Sequence, residues 1–159
     1  MMTDPSPEHG WLRKLVGDWH YEHEFSPAPG MPAAKLMGTE KVRMLGELWV
    51  ICEGGGKMHT GHEMNYLMTL GFDPNKGSFV GSWVGSPMAY MFVYEGRLED
   101  DGKTLPLKTD GPSFTDPTQL AKYQDVIGIV DDDHRTLTSQ MWGEEGELVT
   151  FMQAKYRRA

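Results

Sequence analysis

Cysteine is nearly absent: Cys52 is the single one in 159 residues. That excludes an intramolecular disulfide and any multi-cysteine zinc site, and it agrees with a reducing compartment. In WVICEGG the thiol sits in an apolar, strand-like run and reads as buried and inert. Positive charge is also scarce. Lys and Arg total 15 against 23 Asp and Glu, a formal net charge of −8, so the long-range field opposes nucleic acid and anionic membrane surfaces as partners. No stretch approaches the roughly 18 apolar residues of a membrane-spanning helix, and MMTDPSPEHG lacks the basic start and apolar core of a secretion signal. The expectation is a soluble, cytoplasmic protein. Helical period is missing too: beyond residue 19 nothing shows the 10–15-residue amphipathic segments that βαβ units need, and there is no internal repeat, linker or low-complexity tract.

What is present begins at residues 15–25, LVGDWHYEHEF. Upstream, Ser6, Pro7 and Glu8 look like an N-cap, a first-turn proline and a first-turn acid, with Trp11, Leu12, Leu15 and Val16 at helical spacing. Gly17 reads as the left-handed residue that closes this helix. From Trp19 the period changes to two: Trp19, Tyr21, His23 and Phe25 share one face, and His20, Glu22 and Glu24 the other. A short helix therefore hands over directly to a strand.

Turn-separated apolar runs continue to the end, at residues 19–25, 37–45, 48–53, 65–72, 79–84, 89–98, 104–109, 122–130, 136–142 and 148–156. DPNKG, EDDGK, DDDHR and GEEGE supply the residues that tight hairpins demand. Ten short sequential strands leave two unpaired edges in an open sheet and none in a closed one. The fold class is thus all-β: one domain over 1–159, a closed antiparallel up-and-down barrel with a short N-terminal plug helix within 1–17. Two long polar connections, 26–35 and 110–120, are placed at the barrel mouth, and EGGGKM (53–58) reads as a flexible loop.

A plug helix, then G-x-W at the start of the first strand, then a meander resembles the lipocalin and fatty-acid-binding (calycin) pattern. That resemblance implies that Trp19 caps the closed end, with Gly17 before it, and that an arginine near the end of the last strand stacks over the indole. Arg157 and Arg158 are the candidates; strand parity favours Arg158. Across nearly the whole chain HGWLRKLVGDW, GTEKVRMLGELWV, LMTLGFDPNKGSFVGSWVGS, VYEGRLEDDGKTLPL, GPSFTDPTQLAKYQDVI and DDDHRTLTS resemble the bacterial domain-of-unknown-function family fifteen seventy-nine. This implies a lipocalin-like barrel and brings no activity with it.

A barrel of about ten strands is too wide for Leu and Val alone to fill, and twelve methionines suit an adaptable apolar wall. The expected function is non-catalytic binding of a small, largely apolar molecule. His23, Arg43, Tyr66, Trp83, Tyr90, Tyr94, Asp125, Arg135 and Ser139 are the polar or aromatic cavity candidates. Arg43 and Asp125 stand out because a charge embedded in a strand is costly unless paired or solvated; a mutual salt bridge and plain exposure are both open.

The rival readings are a cavity enzyme of isomerase or hydrolase type, an interaction module, and haem held by one axial histidine as in the nitrobindin barrels, with His23 the first candidate. No catalytic residue, metal or cofactor is assigned, and a homodimer is left open. His59 and His62 in HTGHEM lie between glycines, with no fixed geometry for chelation. GSWVGS fails the spacing and context of a serine-hydrolase elbow, and the acidic runs at 131–133 and 144–147 are solvated hairpin tips.

Overall fold

The computed structural model describes residues 1–26, 32, 34–58 and 60–159. A short helix α1 (Pro7–Leu12) and a 3₁₀ turn (Arg13–Leu15) precede ten strands: β1 (Gly17–Phe25), β2 (Ala34–Leu45), β3 (Trp49–Lys57), β4 (Glu63–Asp73), β5 (Ser78–Gly85), β6 (Met88–Gly96), β7 (Thr104–Pro112), β8 (Leu120–Asp131), β9 (His134–Trp142) and β10 (Leu148–Arg158). Each strand pairs antiparallel with its sequence neighbour, and β1 pairs with β10, closing the barrel. The period-two runs form strands because one face of each is apolar and the wall has only one dry side. No described helix is long and apolar enough to cross a membrane.

α1 is pinned to the barrel floor by an unexpected residue. His9 is buried, and its Nδ1 accepts the Ser6 N–H at 2.8 Å. Its Nε2 is therefore the protonated nitrogen and donates to the Phe72 carbonyl at 3.0 Å. Trp11 Nε1 donates to the Gly102 carbonyl at 2.8 Å, and its ring meets the edge of Phe79.

Two sequence expectations need correction. Gly17 does not close α1, which ends five residues earlier; it opens β1 with φ +136°. Its missing Cβ makes room for Arg158, whose Nη1 would lie 2.3 Å from a β-carbon there. Residues 53–57 are not a loop but the second half of β3. Gly54 is opposite Tyr66 across the β3–β4 pair, and a Cβ on it would stand 2.4 Å from the phenol ring. The glycine lets the ring lie flat on the wall, the aromatic rescue of a strand glycine.

The floor is built around Trp19, which is 2% exposed. Its Nε1 donates to the Leu15 carbonyl at 2.9 Å. Arg158, opposite Trp19 in the β1–β10 register, holds its guanidinium carbon 4.3 Å from the indole centroid. Arg158 also donates from Nη1 to Val16 O (2.5 Å), from Nη2 to Lys14 O (3.1 Å) and from Nε to Asp132 O (2.7 Å). One side chain thus ties the helix–strand junction to the β8–β9 hairpin. Arg157 pairs in register with His20 on the outer face.

At the other end Phe25, Phe114, Tyr123 and Phe151 form a cluster of ring contacts with centroids 5.1–6.5 Å apart. Phe114 comes from the connection after β7, so that loop does rim the mouth. Most of the 26–35 connection lies outside the described residues. The wall is thinnest between β6 and β7, where only Glu95–Lys108 and Gly96–Leu107 pair.

Candidate functional site

Inside the barrel, two hydrogen-bonded groups interrupt an otherwise apolar wall. The first centres on Glu40 of β2, 4% exposed, which pairs with Arg135 of β9, 5% exposed, and also accepts the Tyr66 hydroxyl. The Arg135 guanidinium carbon lies 3.9 Å from the Tyr156 centroid and 4.7 Å from that of Trp19. A desolvated cation is thereby satisfied by a carboxylate and two ring faces, while its Nε is buried without a hydrogen-bond partner among the described residues. Glu40 and burial affect the neighbours: the Tyr21 hydroxyl is pushed up to about 12, first by burial and then by the Glu40 charge. Burial likewise keeps the Cys52 thiol protonated.

The second group centres on Asp125 of β8. Ser139, its register partner on β9, donates to Oδ1 at 2.6 Å, and Tyr94 of β6 donates to Oδ2. Burial raises the Asp125 pKa above the ordinary carboxylate value, and the two donors offset only part of this.

Both groups border a cavity of about 90 Å³, whose wall also carries His23, Trp83 and Met68. Tyr66 stacks on Trp83 at 5.8 Å and 21°, Trp83 meets Phe92 edge-on, and Phe92 meets Tyr90. These rings form one aromatic ladder from the floor toward the mouth. The free space is below the roughly 150 Å³ of an engineered cavity that takes benzene.

Of the sequence candidates, His23, Tyr66, Trp83, Tyr94 and Asp125 border this cavity, with Arg135. Ser139 stands behind Asp125, and Tyr90 is half-buried further up the ladder. Arg43 is a correction: it is exposed on the outer face, because β2 turns Glu40, Val42 and Met44 inward, and it makes no bridge to Asp125. The embedded charge on β2 is instead Glu40, which sequence reasoning missed. Its signal lies outside β2, in the residues it faces across the neighbouring strands.

The histidine readings separate here. His59 lies outside the described residues; His62 is exposed, its Nδ1 3.0 Å from Thr60 Oγ1. Among the described residues no group of three or more His, Cys, Asp or Glu is placed to hold a metal. Ser82 of GSWVGS lies within β5 and shares a hydrogen bond with Thr69. His23 faces the lumen with Nε2 buried and without a hydrogen-bond partner among the described residues, as an axial ligand would be. The space beside it, about 90 Å³, is smaller than the roughly 300–1,000 Å³ of ligand pockets.

Burial holds the His23 imidazole below its ordinary value. Between 6.5 and that lowered value the unfolded chain carries the proton and the folded chain does not, so acidification through this range favours unfolding. His23→Leu is expected to flatten the fall in Tm between about pH 7 and about pH 5. A fall as steep as that of the unaltered protein would assign it to other groups.

A family model of DUF1579, described as a protein of unknown function, matches residues 4–158. The chain belongs to the DUF1579 family. No curated protein matches it. Among solved structures, Rv2717c from M. tuberculosis superposes with a TM-score of 0.67 at 15% identity, covering 98% of this chain and 99% of that one. The S-type phycobiliprotein lyase CPES from Guillardia theta gives 0.67 at 14%, covering 98% of each. EF1p2_mFAP2b bound to DFHBI gives 0.52 at 10%, over 96% and 99%. At these identities the likeness of this DUF1579 member to its neighbours is one of fold, and it agrees with the lipocalin-like barrel.

Proposed function

We propose that this DUF1579 barrel binds one small, largely apolar molecule in its lumen without transforming it. The observation that carries the reading is the aromatic ladder Tyr66–Trp83–Phe92–Tyr90 beside a cavity with two oriented polar groups. Rings supply contact area at low entropic cost, and a few fixed polar atoms orient the guest. A structural neighbour solved bound to DFHBI supports the idea that barrels of this architecture accept a guest. The limited space calls for a guest of a few heavy atoms, or for one whose remainder extends toward the mouth.

Native mass spectrometry of the purified full chain is expected to show one bound small molecule per chain. Trp83→Ala is expected to weaken its binding about tenfold or more, as loss of a buried aromatic contact does, while the far-UV circular dichroism stays that of β-structure. An empty wild-type protein that binds no added ligand, or a Trp83→Ala variant that binds equally well, would remove the reading.

A cavity enzyme is the second reading, favoured by two groups: Asp125, pushed toward its protonated form, and His23, pushed toward its neutral form, border the same space. Such a pair is suited to proton transfer. Under that reading an added ligand is released chemically changed, which mass spectrometry of the same incubation detects.

A further inference from the structure

We propose that the lumen selects a small organic cation, a protonated amine on a short apolar body, over a carboxylate or alcohol of the same shape. This rests on the lumen being a binding site.

The argument is a charge inventory of the inward face. Glu40, Arg135 and Asp125 are the charged side chains that border the cavity, with His23 the other titratable group on its rim that gains a cation on protonation. Arg135 is spent on Glu40, so the lumen with Asp125 ionised and His23 neutral carries one uncompensated negative charge. The hydrogen-bond balance has the same sign. Tyr66, Tyr94 and Ser139 each have a single hydroxyl hydrogen, and each gives it to a carboxylate. What they and Asp125 have left is lone pairs, since a carboxylate accepts about four hydrogen bonds and each Asp125 oxygen receives one of these.

At Asp125 the site therefore has acceptors to spare. The Arg135 guanidinium is held against Glu40, and its Nε is enclosed without a hydrogen-bond partner among the described residues, so an incoming anion would meet Glu40 as well. Burial has raised the affinity of Asp125 for a proton, which is how a carboxylate behaves when its environment supplies too little positive charge; an ammonium would supply it. The stacked faces of Tyr66 and Trp83 suit a cation further. Outside, a net charge of −8 draws cations toward the mouth and repels carboxylates.

The test is isothermal titration of the full chain with n-butylamine, n-butanol and butanoate at about pH 7, ligands sized to the cavity. The amine is expected to bind about tenfold or more tighter than the alcohol, and butanoate more weakly than either. Asp125→Asn keeps the shape and an acceptor; in that variant the amine should bind no tighter than the alcohol. If that variant does not fold, Tyr94→Phe, which frees an Asp125 oxygen, is expected to keep or increase the preference. An amine no tighter than butanol, or a preference that survives Asp125→Asn or is lost in Tyr94→Phe, overturns the inference. Alcohol binding without amine preference overturns only this selectivity, whereas no binding by any of the three, together with an empty native mass spectrum, removes the binding function itself.

Discussion

Glu40→Ala is expected to lower the unfolding free energy by about 3–5 kcal/mol, the range for stripping one partner from a buried ion pair. The cost arises from what remains. Arg135 would keep its charge at 5% exposure, with only the Trp19 and Tyr156 rings against it, and the Tyr66 hydroxyl would lose its acceptor. Removing both charges is a different experiment. Glu40→Leu combined with Arg135→Met exchanges the pair for apolar volume, and such exchanges are often neutral or stabilising. The double variant is expected to recover most of the loss, a strong non-additivity. Urea unfolding with an unchanged m-value measures both. A Glu40→Ala midpoint close to that of the unaltered protein would mean that water reaches Arg135 and that the floor is not dry.

Trp19→Ala is the second large effect, about 3–5 kcal/mol for truncating a fully enclosed indole. The loss is not of apolar area alone, because two guanidiniums lean on this ring and its N–H holds the Leu15 carbonyl. A double-mutant cycle with Arg158→Ala is expected to show coupling of about 0.5–2 kcal/mol. The same cycle with Arg157→Ala should show none, since that side chain lies on the outer face beside His20. Equal coupling to both arginines would indicate a general effect of charge at the chain end rather than stacking at the floor.

The arginine choice shows how far a sequence carries such an argument. Along β10 apolar and polar residues alternate from Met152 to Arg157, so parity alone puts Arg158 with Tyr156 and Ala154. Along β2 the run Glu40, Lys41, Val42, Arg43 carries charge at both parities, and nothing within the strand says which is inward. That is decided by the partners: Trp19 is opposite Glu40 on β1, and Cys52 is opposite Val42 on β3. Register across two hairpins is a property of the sheet, not of one strand. The barrel and its plug were legible because turn residues and period-two runs are local signals. Tyr94, Asp125 and Ser139 were legible singly but not as one group, since they come from three strands. The glycines of β3 misled because a strand glycine and a loop glycine look alike until the ring of Tyr66 is seen lying on one of them.

The pairing of β1 with β10 has a consequence for how the molecule is made. Eight of the nine sequential hairpins join strands in extensive register, and these can form while the chain is still being synthesised. The ninth, β6 with β7, has only two residue pairs. The ring itself cannot close until residues 148–158 exist, because β10 supplies both the last seam and Arg158. Until then Trp19 has neither its last-strand neighbour nor that guanidinium, and β1 keeps one side unpaired. A nascent chain of this topology therefore spends its synthesis as an open, sticky sheet. With contacts that join its first strand to its last, it pays a large loop-closure entropy in that step, which places it among slow folders.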